Sequence, residues 1–140
     1  MNKEIISKKI LIVDDDQDLI RGLSIRLRAN GYNVFTASDA ISAVSTCGKT
    51  EPDLIILDIG LPGGDGFLVM DRLKNISSIN FMPIIILSAR DPLLNKQRAL
   101  DAGAYTFFQK PADNDELLTA IQDALEGNRP AVVYEIPMED

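Results

Sequence analysis

Four sites in this chain carry groups suited to phosphoryl chemistry, three directly after an apolar run and the last one residue further on: the triple Asp14-Asp15-Asp16, then Asp58, Ser88 and Lys110. Three carboxylates brought to contact distance repel, and their pKa values climb unless a cation intervenes. The ligands on offer are all oxygens, and only two or three are carboxylates. That set suits Mg²⁺, which keeps waters and completes its octahedron with phosphate oxygen. A lysine ammonium and a serine hydroxyl are suited to the equatorial oxygens of a phosphoryl group. Phosphoryl transfer demands mostly positioning and charge neutralisation, and one carboxylate of the set can act as nucleophile, giving an acyl phosphate. The chain lacks the G-x-x-x-x-G-K-S/T loop, so it is not a P-loop nucleotide binder. It contains no histidine, which excludes His-based acid–base and triad chemistry.

Groups so far apart in sequence meet only if regular elements bring them together. Apolar runs recur at Ile10–Val13, Val34-Phe35, Leu54–Leu57, Ile84–Leu87 and Phe107-Phe108. The first, third and fourth have no polar alternation and are rich in β-branched residues, as strands buried on both faces are. Helical stripes fill the gaps. Leu19, Ile20, Leu23 and Leu27 form one, closed by Gly31. Ala40, Val44 and Cys47 form another, capped by Ser38 or Asp39. A third helix spans about Asp65 to Lys74. A fourth starts at Asp91-Pro92 and ends before Gly103, and Leu117, Leu118, Ile121 and Leu125 mark a fifth, closed by Gly127. Five βα units imply an α/β fold, a doubly wound parallel sheet with helices on both faces. Ligands of such sheets bind beyond the carboxyl ends of the strands, where all four sites fall.

The remaining features bound the function. At 140 residues the chain fits one domain with a single core. Its net charge of −7 argues against direct nucleic-acid binding by this segment, while leaving room for a metal cation. The single cysteine, Cys47, forms no internal disulfide and lies at core spacing, which suits a reducing compartment. No apolar stretch reaches the length of a membrane span, and the run before Asp14 is too short for a signal-peptide core, so the protein is expected to be cytoplasmic and off the membrane. The division read here is a domain over 1–126 and a C-terminal tail, or the start of a linker, over 127–140.

Taken together and in order, Ile10–Asp16, Pro52–Asp58, Leu61–Gly66, Pro83–Ala89, Ala102-Gly103-Ala104 and Lys110-Pro111 resemble the receiver domain of two-component response regulators over about Lys8 to Glu126. The resemblance implies a flavodoxin-like (βα)5 fold with strand order 2-1-3-4-5. It implies that Asp58 is the phospho-acceptor and that Mg²⁺ is held by Asp15 directly, by Asp14 largely through water, by Asp58 and by the Gly60 carbonyl. Ser88 would contact the phosphoryl group and move on activation, Lys110 would pair with the phosphate across a cis Lys110–Pro111 peptide, and Phe107 would be the aromatic switch, with Thr106 and Phe108 on the opposite face. The donor would be a sensor histidine kinase or phosphotransfer protein. The output, to a downstream effector domain or protein, would be a changed surface on helix 4, strand 5 and helix 5. Such a domain is not an enzyme in the ordinary sense, although it promotes its own phosphorylation and dephosphorylation.

Several positions depart from the family pattern. Gly60, Gly63 and Gly64 make the loop after Asp58 unusually flexible. Gly60 leaves no side chain beside the acceptor, which predicts easier water access unless Arg90 screens the site. Ala112 stands where phenylalanine is frequent. The fifth helix lacks the arginine expected in regulators that dimerise through helices 4 and 5, which lowers the expectation of that dimer. Blander readings hold for some residues: Asp16 as a helix N-terminus, Cys47 as core, and Gly63, Gly64 and Gly66 as turn geometry. A degenerate receiver acting as a phosphorylation-independent interaction module is the alternative; loss of any of Asp15, Asp58 or Lys110 would favour it, and none is lost. An aspartyl phosphatase would place an acid at position 60. A flavin module would not tolerate three aspartates after strand 1.

Overall fold

The computed structural model describes residues 7–63, 65–76 and 82–130; the expectations for Gly64 and for the tail from 131 onward lie outside them. Five strands, β1 (Lys9–Val13), β2 (Asn33–Ala37), β3 (Leu54–Leu57), β4 (Ile84–Ser88) and β5 (Thr106–Gln109), alternate with five helices, α1 (Gln17–Ala29), α2 (Ala40–Thr50), α3 (Gly66–Lys74), α4 (Pro92–Asp101) and α5 (Asn114–Leu125). All strand pairs are parallel, and the order is β2-β1-β3-β4-β5, as the resemblance implies. The uninterrupted apolar strands exist because both sheet faces are covered. Ile10, Ile12, Leu54, Ile56, Ile85 and Leu87 face α1 and α5, where they meet Leu23, Leu27, Leu117 and Ile121. The alternate residues Leu11, Val13, Ile55, Leu57 and Ile86 face the opposite layer, with Cys47 of α2, Met70 of α3 and Ala99 of α4.

All five helices begin on an aspartate whose carboxylate accepts N–H groups of the first turn: Asp16, Asp39, Asp65, Asp91 and Asp113. Acidic caps satisfy orphan donors and suit the positive end of the helix dipole. The blander readings of Asp16 and Cys47 hold: Asp16 caps α1, and Cys47 is fully buried, its thiol pushed up to about 11 by burial. Gly48 lies inside α2, and that helix ends instead on Glu51 in the left-handed region at φ 49°, an unusual place for a glutamate.

Gly63 takes the positive φ of a turn, at 77°, but Gly66 has a different reason. It is the first residue of α3, its N–H bonds to the Ile59 carbonyl at 3.0 Å, and a Cβ there would stand 2.6 Å from Ile59 Cα and 2.8 Å from the Asp58 carbonyl oxygen. The reading of Gly66 as turn geometry is therefore corrected: the helix start is pressed against the backbone that carries Asp58, and only glycine fits. Gly66→Ala is expected to lower stability by about 1–3 kcal/mol in urea unfolding; an unchanged midpoint would show that the two backbones separate freely.

Candidate functional site

Asp14, Asp58 and Lys110 each stand one residue beyond a strand and are still held by the backbone ladder, while Ser88 closes β4 itself. The Asp14 N–H bonds to the Ala37 carbonyl at 3.1 Å, the Asp58 N–H to the Val13 carbonyl at 2.9 Å, and the Lys110 N–H to the Ser88 carbonyl at 2.8 Å. The sheet thereby sets the spacing of the site. Asp14, Asp15 and Asp58 each place a carboxylate oxygen within 4.8 Å of the others. Asp14 and Asp58 are buried, and Asp15 is open to solvent.

Lys110 reaches into this cluster. Its Nζ lies 2.8 Å from Asp14 Oδ2 and 3.3 Å from Asp58 Oδ2, with the lysine side chain only 17% exposed. The other oxygen of Asp58, Oδ1, accepts the Gly60 N–H at 2.9 Å, and Asp14 Oδ1 accepts the Asp16 N–H at 2.9 Å. Burial works against the Lys110 ammonium, but the hydrogen bond to Asp14 and the charges of Asp58 and Asp14 outweigh it, so its pKa is raised. For Asp14 the balance falls the other way. Desolvation raises its pKa more than Lys110 and the Asp16 N–H lower it. The asymmetry is physical: the lysine has two carboxylates, whereas Asp14 shares one ammonium with Asp58.

The other expected residues lie around this centre. Ser88 is fully buried at the end of β4, and its hydroxyl accepts the Arg90 N–H at 3.2 Å. Phe107 pairs in register with Ile86 and is buried in the layer that holds Ala99 of α4, while Thr106 and Phe108 are only partly buried. Phe108 packs on the other face, so the expected bracketing is observed for it. The Lys110–Pro111 peptide is cis. Ala112 lines a groove of about 350 Å³ between α1 and the start of α5, which opens beside Lys110. Arg90 is placed over Gly60, with Nη1 3.9 Å from Asp65 Oδ2. The part of Asp65 was not signalled, because it is one carboxylate among 21 acidic residues.

The donor set can be tested against a cation. Three carboxylates converge, every donor is oxygen, and one member is exposed where waters can complete a shell, so the residues fit a hard divalent ion. Because the folded state raises the Asp14 pKa, that contribution to stability is fully present below the ordinary value of 3.8 and is lost as pH rises through the folded value. At neutral pH the ionised Asp14 is a cost. Asp14→Asn is expected to gain roughly 0.5–2 kcal/mol at pH 7 without divalent metal, and the gain should shrink toward pH 4. A loss of stability at pH 7 would show that the Lys110 contact outweighs the burial of Asp14.

The comparisons with known proteins agree with this geometry. The sequence profile of the response regulator receiver domain matches residues 10–122. The transcriptional regulatory protein KdpE of Mycobacterium tuberculosis is 37% identical over 129 residues, covering 92% of this chain and 56% of its own length. Response regulator PleD of Caulobacter vibrioides is 34% identical over 117 residues, covering 84% of this chain and 26% of its own. The chain thus spans about half, or less, of the curated relatives it matches. Among solved structures, the chemotaxis response regulator CheY4 of Vibrio cholerae superposes with a TM-score of 0.79 at 30% identity, covering 85% of this chain and 99% of its own. The receiver domain of sensor histidine kinase PA1611 from Pseudomonas aeruginosa, which has a magnesium ion coordinated in its active-site cleft, superposes with a TM-score of 0.79 at 28% identity, covering 86% and 99%.

Proposed function

The chain belongs to the response regulator receiver domain family, and on that premise we propose that Asp58 is its phospho-acceptor. The observation that carries this reading is the convergence of Asp14, Asp15, Asp58 and Lys110 at one sheet edge. Asp58 attacks the phosphorus of a phosphohistidine on a sensor histidine kinase or phosphotransfer protein. A new Asp58 O–P bond forms, the N–P bond breaks, and its electron pair stays with the donor imidazole. Asp14, Asp15, Asp58 and the Gly60 carbonyl would hold Mg²⁺. When bound, the ion supplies charge neutralisation for the carboxylates and the incoming phosphoryl oxygens. Lys110, already drawn to Asp58, turns to the phosphoryl oxygens, and the buried Ser88 hydroxyl contacts one of them. The same site promotes hydrolysis of its own acyl phosphate.

The output reading is supported by how lightly α4 is anchored. Its one buried residue is Ala99, Leu93 and Leu94 stand in solvent at 93% and 77% exposure, and Arg98 stacks over Phe67 of α3 at 3.7 Å. Movement of Ser88 toward the phosphoryl group lets Phe107 shift beneath α4 and alters the α4–β5–α5 surface offered to an effector domain or protein. We place the receiver module over 1–126 and read 127–140 as tail or linker. The Tyr105 hydroxyl holds Asn128 by its carbonyl at 2.8 Å, fixing the exit of the chain. Among the described residues no helix is long and apolar enough to cross a membrane. With the net charge of −7, this supports a cytoplasmic module with no nucleic-acid contact of its own.

Incubation with acetyl phosphate and Mg²⁺ is expected to add one phosphoryl group, seen by intact-mass spectrometry. The adduct should vanish in Asp58→Asn and on chelation of the metal. A parent chain that stays unmodified under these conditions would leave only the interaction module.

A further inference from the structure

The two helices α3 and α4 are held to the molecule in opposite ways. α3 is fixed at its start to the segment that carries Asp58, because Gly66 packs against Ile59 Cα and the Asp58 carbonyl oxygen with no room for a Cβ. Phe67, Val69, Met70 and Leu73 then carry that helix into the core. α4 has Ala99 as its one buried residue. Across the gap, the guanidinium carbon of Arg98 lies 3.7 Å from the centroid of the Phe67 ring. Phe67 is buried and Arg98 is exposed, so the guanidinium covers the outer face of the ring. Among the described residues no carboxylate stands within 4.0 Å of Arg98. The aromatic face is therefore what holds the cation: the ring quadrupole attracts it, and the planar group stacks on the ring.

We propose that the Arg98–Phe67 stack is a latch that holds α4 in its resting position. The inference rests on the output reading, in which phosphorylation of Asp58 alters the α4–β5–α5 surface. α3 is pinned through Gly66 and does not follow α4, so a displacement of α4 over the sheet is taken up where Arg98 meets Phe67, and the stack opens. A contact made in one of two states stabilises that state and holds the other back by the same factor. The stack thereby lowers the share of molecules that carry the signalling surface before any phosphoryl group arrives. Ligands of the acceptor site that favour the signalling form must work against it, and their apparent affinity is reduced in proportion.

The test uses the full chain and beryllofluoride, a phosphoryl mimic, titrated calorimetrically with Mg²⁺ present. Arg98 is a surface side chain, so Arg98→Ala is expected to fold as the parent does. It should bind the mimic about threefold more tightly, the factor that an exposed cation–π contact supplies. Arg98→Lys keeps a cation and should fall between the two. In a Phe67→Leu background the Arg98→Ala gain should vanish, because the ring that made the contact is gone. A second readout needs neither metal nor mimic: amide exchange in α4 is expected to quicken about threefold in Arg98→Ala, with α3 unchanged. Binding by Arg98→Ala that is equal to or weaker than the parent's overturns the latch, as does a gain that persists without Phe67, or α4 exchange equal to the parent's. A parent that binds no beryllofluoride defeats the acceptor reading and the latch with it, a result distinct from tight binding that ignores Arg98.

Discussion

Like charge held close is the constraint around which this molecule is arranged. Asp14 and Asp58 leave neighbouring strands at the same edge, with Asp15 beside them, and a single ammonium lies between the two buried members. Nothing in a relaxed chain would gather these groups. The sheet does it by force of packing: its strands are apolar on both faces, and the ladder bonds of Asp14, Asp58 and Lys110 continue the pairing by one residue each. Burial of the strands outweighs the electrostatic cost at their ends, and that cost is concentrated at one edge of the sheet.

That arrangement explains why the two sheet faces differ. The layer of α1 and α5 meets the strands with long aliphatic side chains, among them Leu23, Leu27, Leu117 and Ile121. On the other face α3 is pressed against the Asp58 segment through Gly66, while α4 rests on Ala99 and a cation stacked on Phe67. A site bonded firmly to one neighbour and loosely to another can pass a small local change to the loose one. Phe107 lies between them, in the buried layer it shares with Ala99.

Much of this was legible in the sequence, and the reasons are specific. Ile10–Val13, Leu54–Leu57 and Ile84–Leu87 read as strands because doubly buried strands need no alternation, and the observed bounds differ from the reading by at most one residue. The acidic cluster followed from the rule that such sheets bind ligands at one edge. The strand order did not follow from pattern and came with the resemblance. Other features were hidden because their cause is three-dimensional. Gly66 looks like any turn glycine until Ile59 is seen against it. Glu51 in a left-handed conformation carries no local signal, least of all with Gly48 three residues earlier. Asp65 was read as the start of its helix and proves to be the cap, the cap Asp113 was lost among many acids, and the preference of Lys110 for Asp14 over Asp58, by 0.5 Å, is a matter of side-chain reach.

The seclusion of Cys47 has a practical consequence. The chain's one thiol is fully buried and reluctant to ionise, and the chain contains no tryptophan. Maleimide reagents act on accessible thiolates, so the native protein is close to blank for them, and its intrinsic ultraviolet emission rests on tyrosines. A cysteine installed at the solvent-exposed Leu94 of α4 would be the single reactive thiol in the molecule. A tryptophan at Phe108 would be the single indole. The molecule thus offers a dark background on which one reporter at a time can follow α4 or β5.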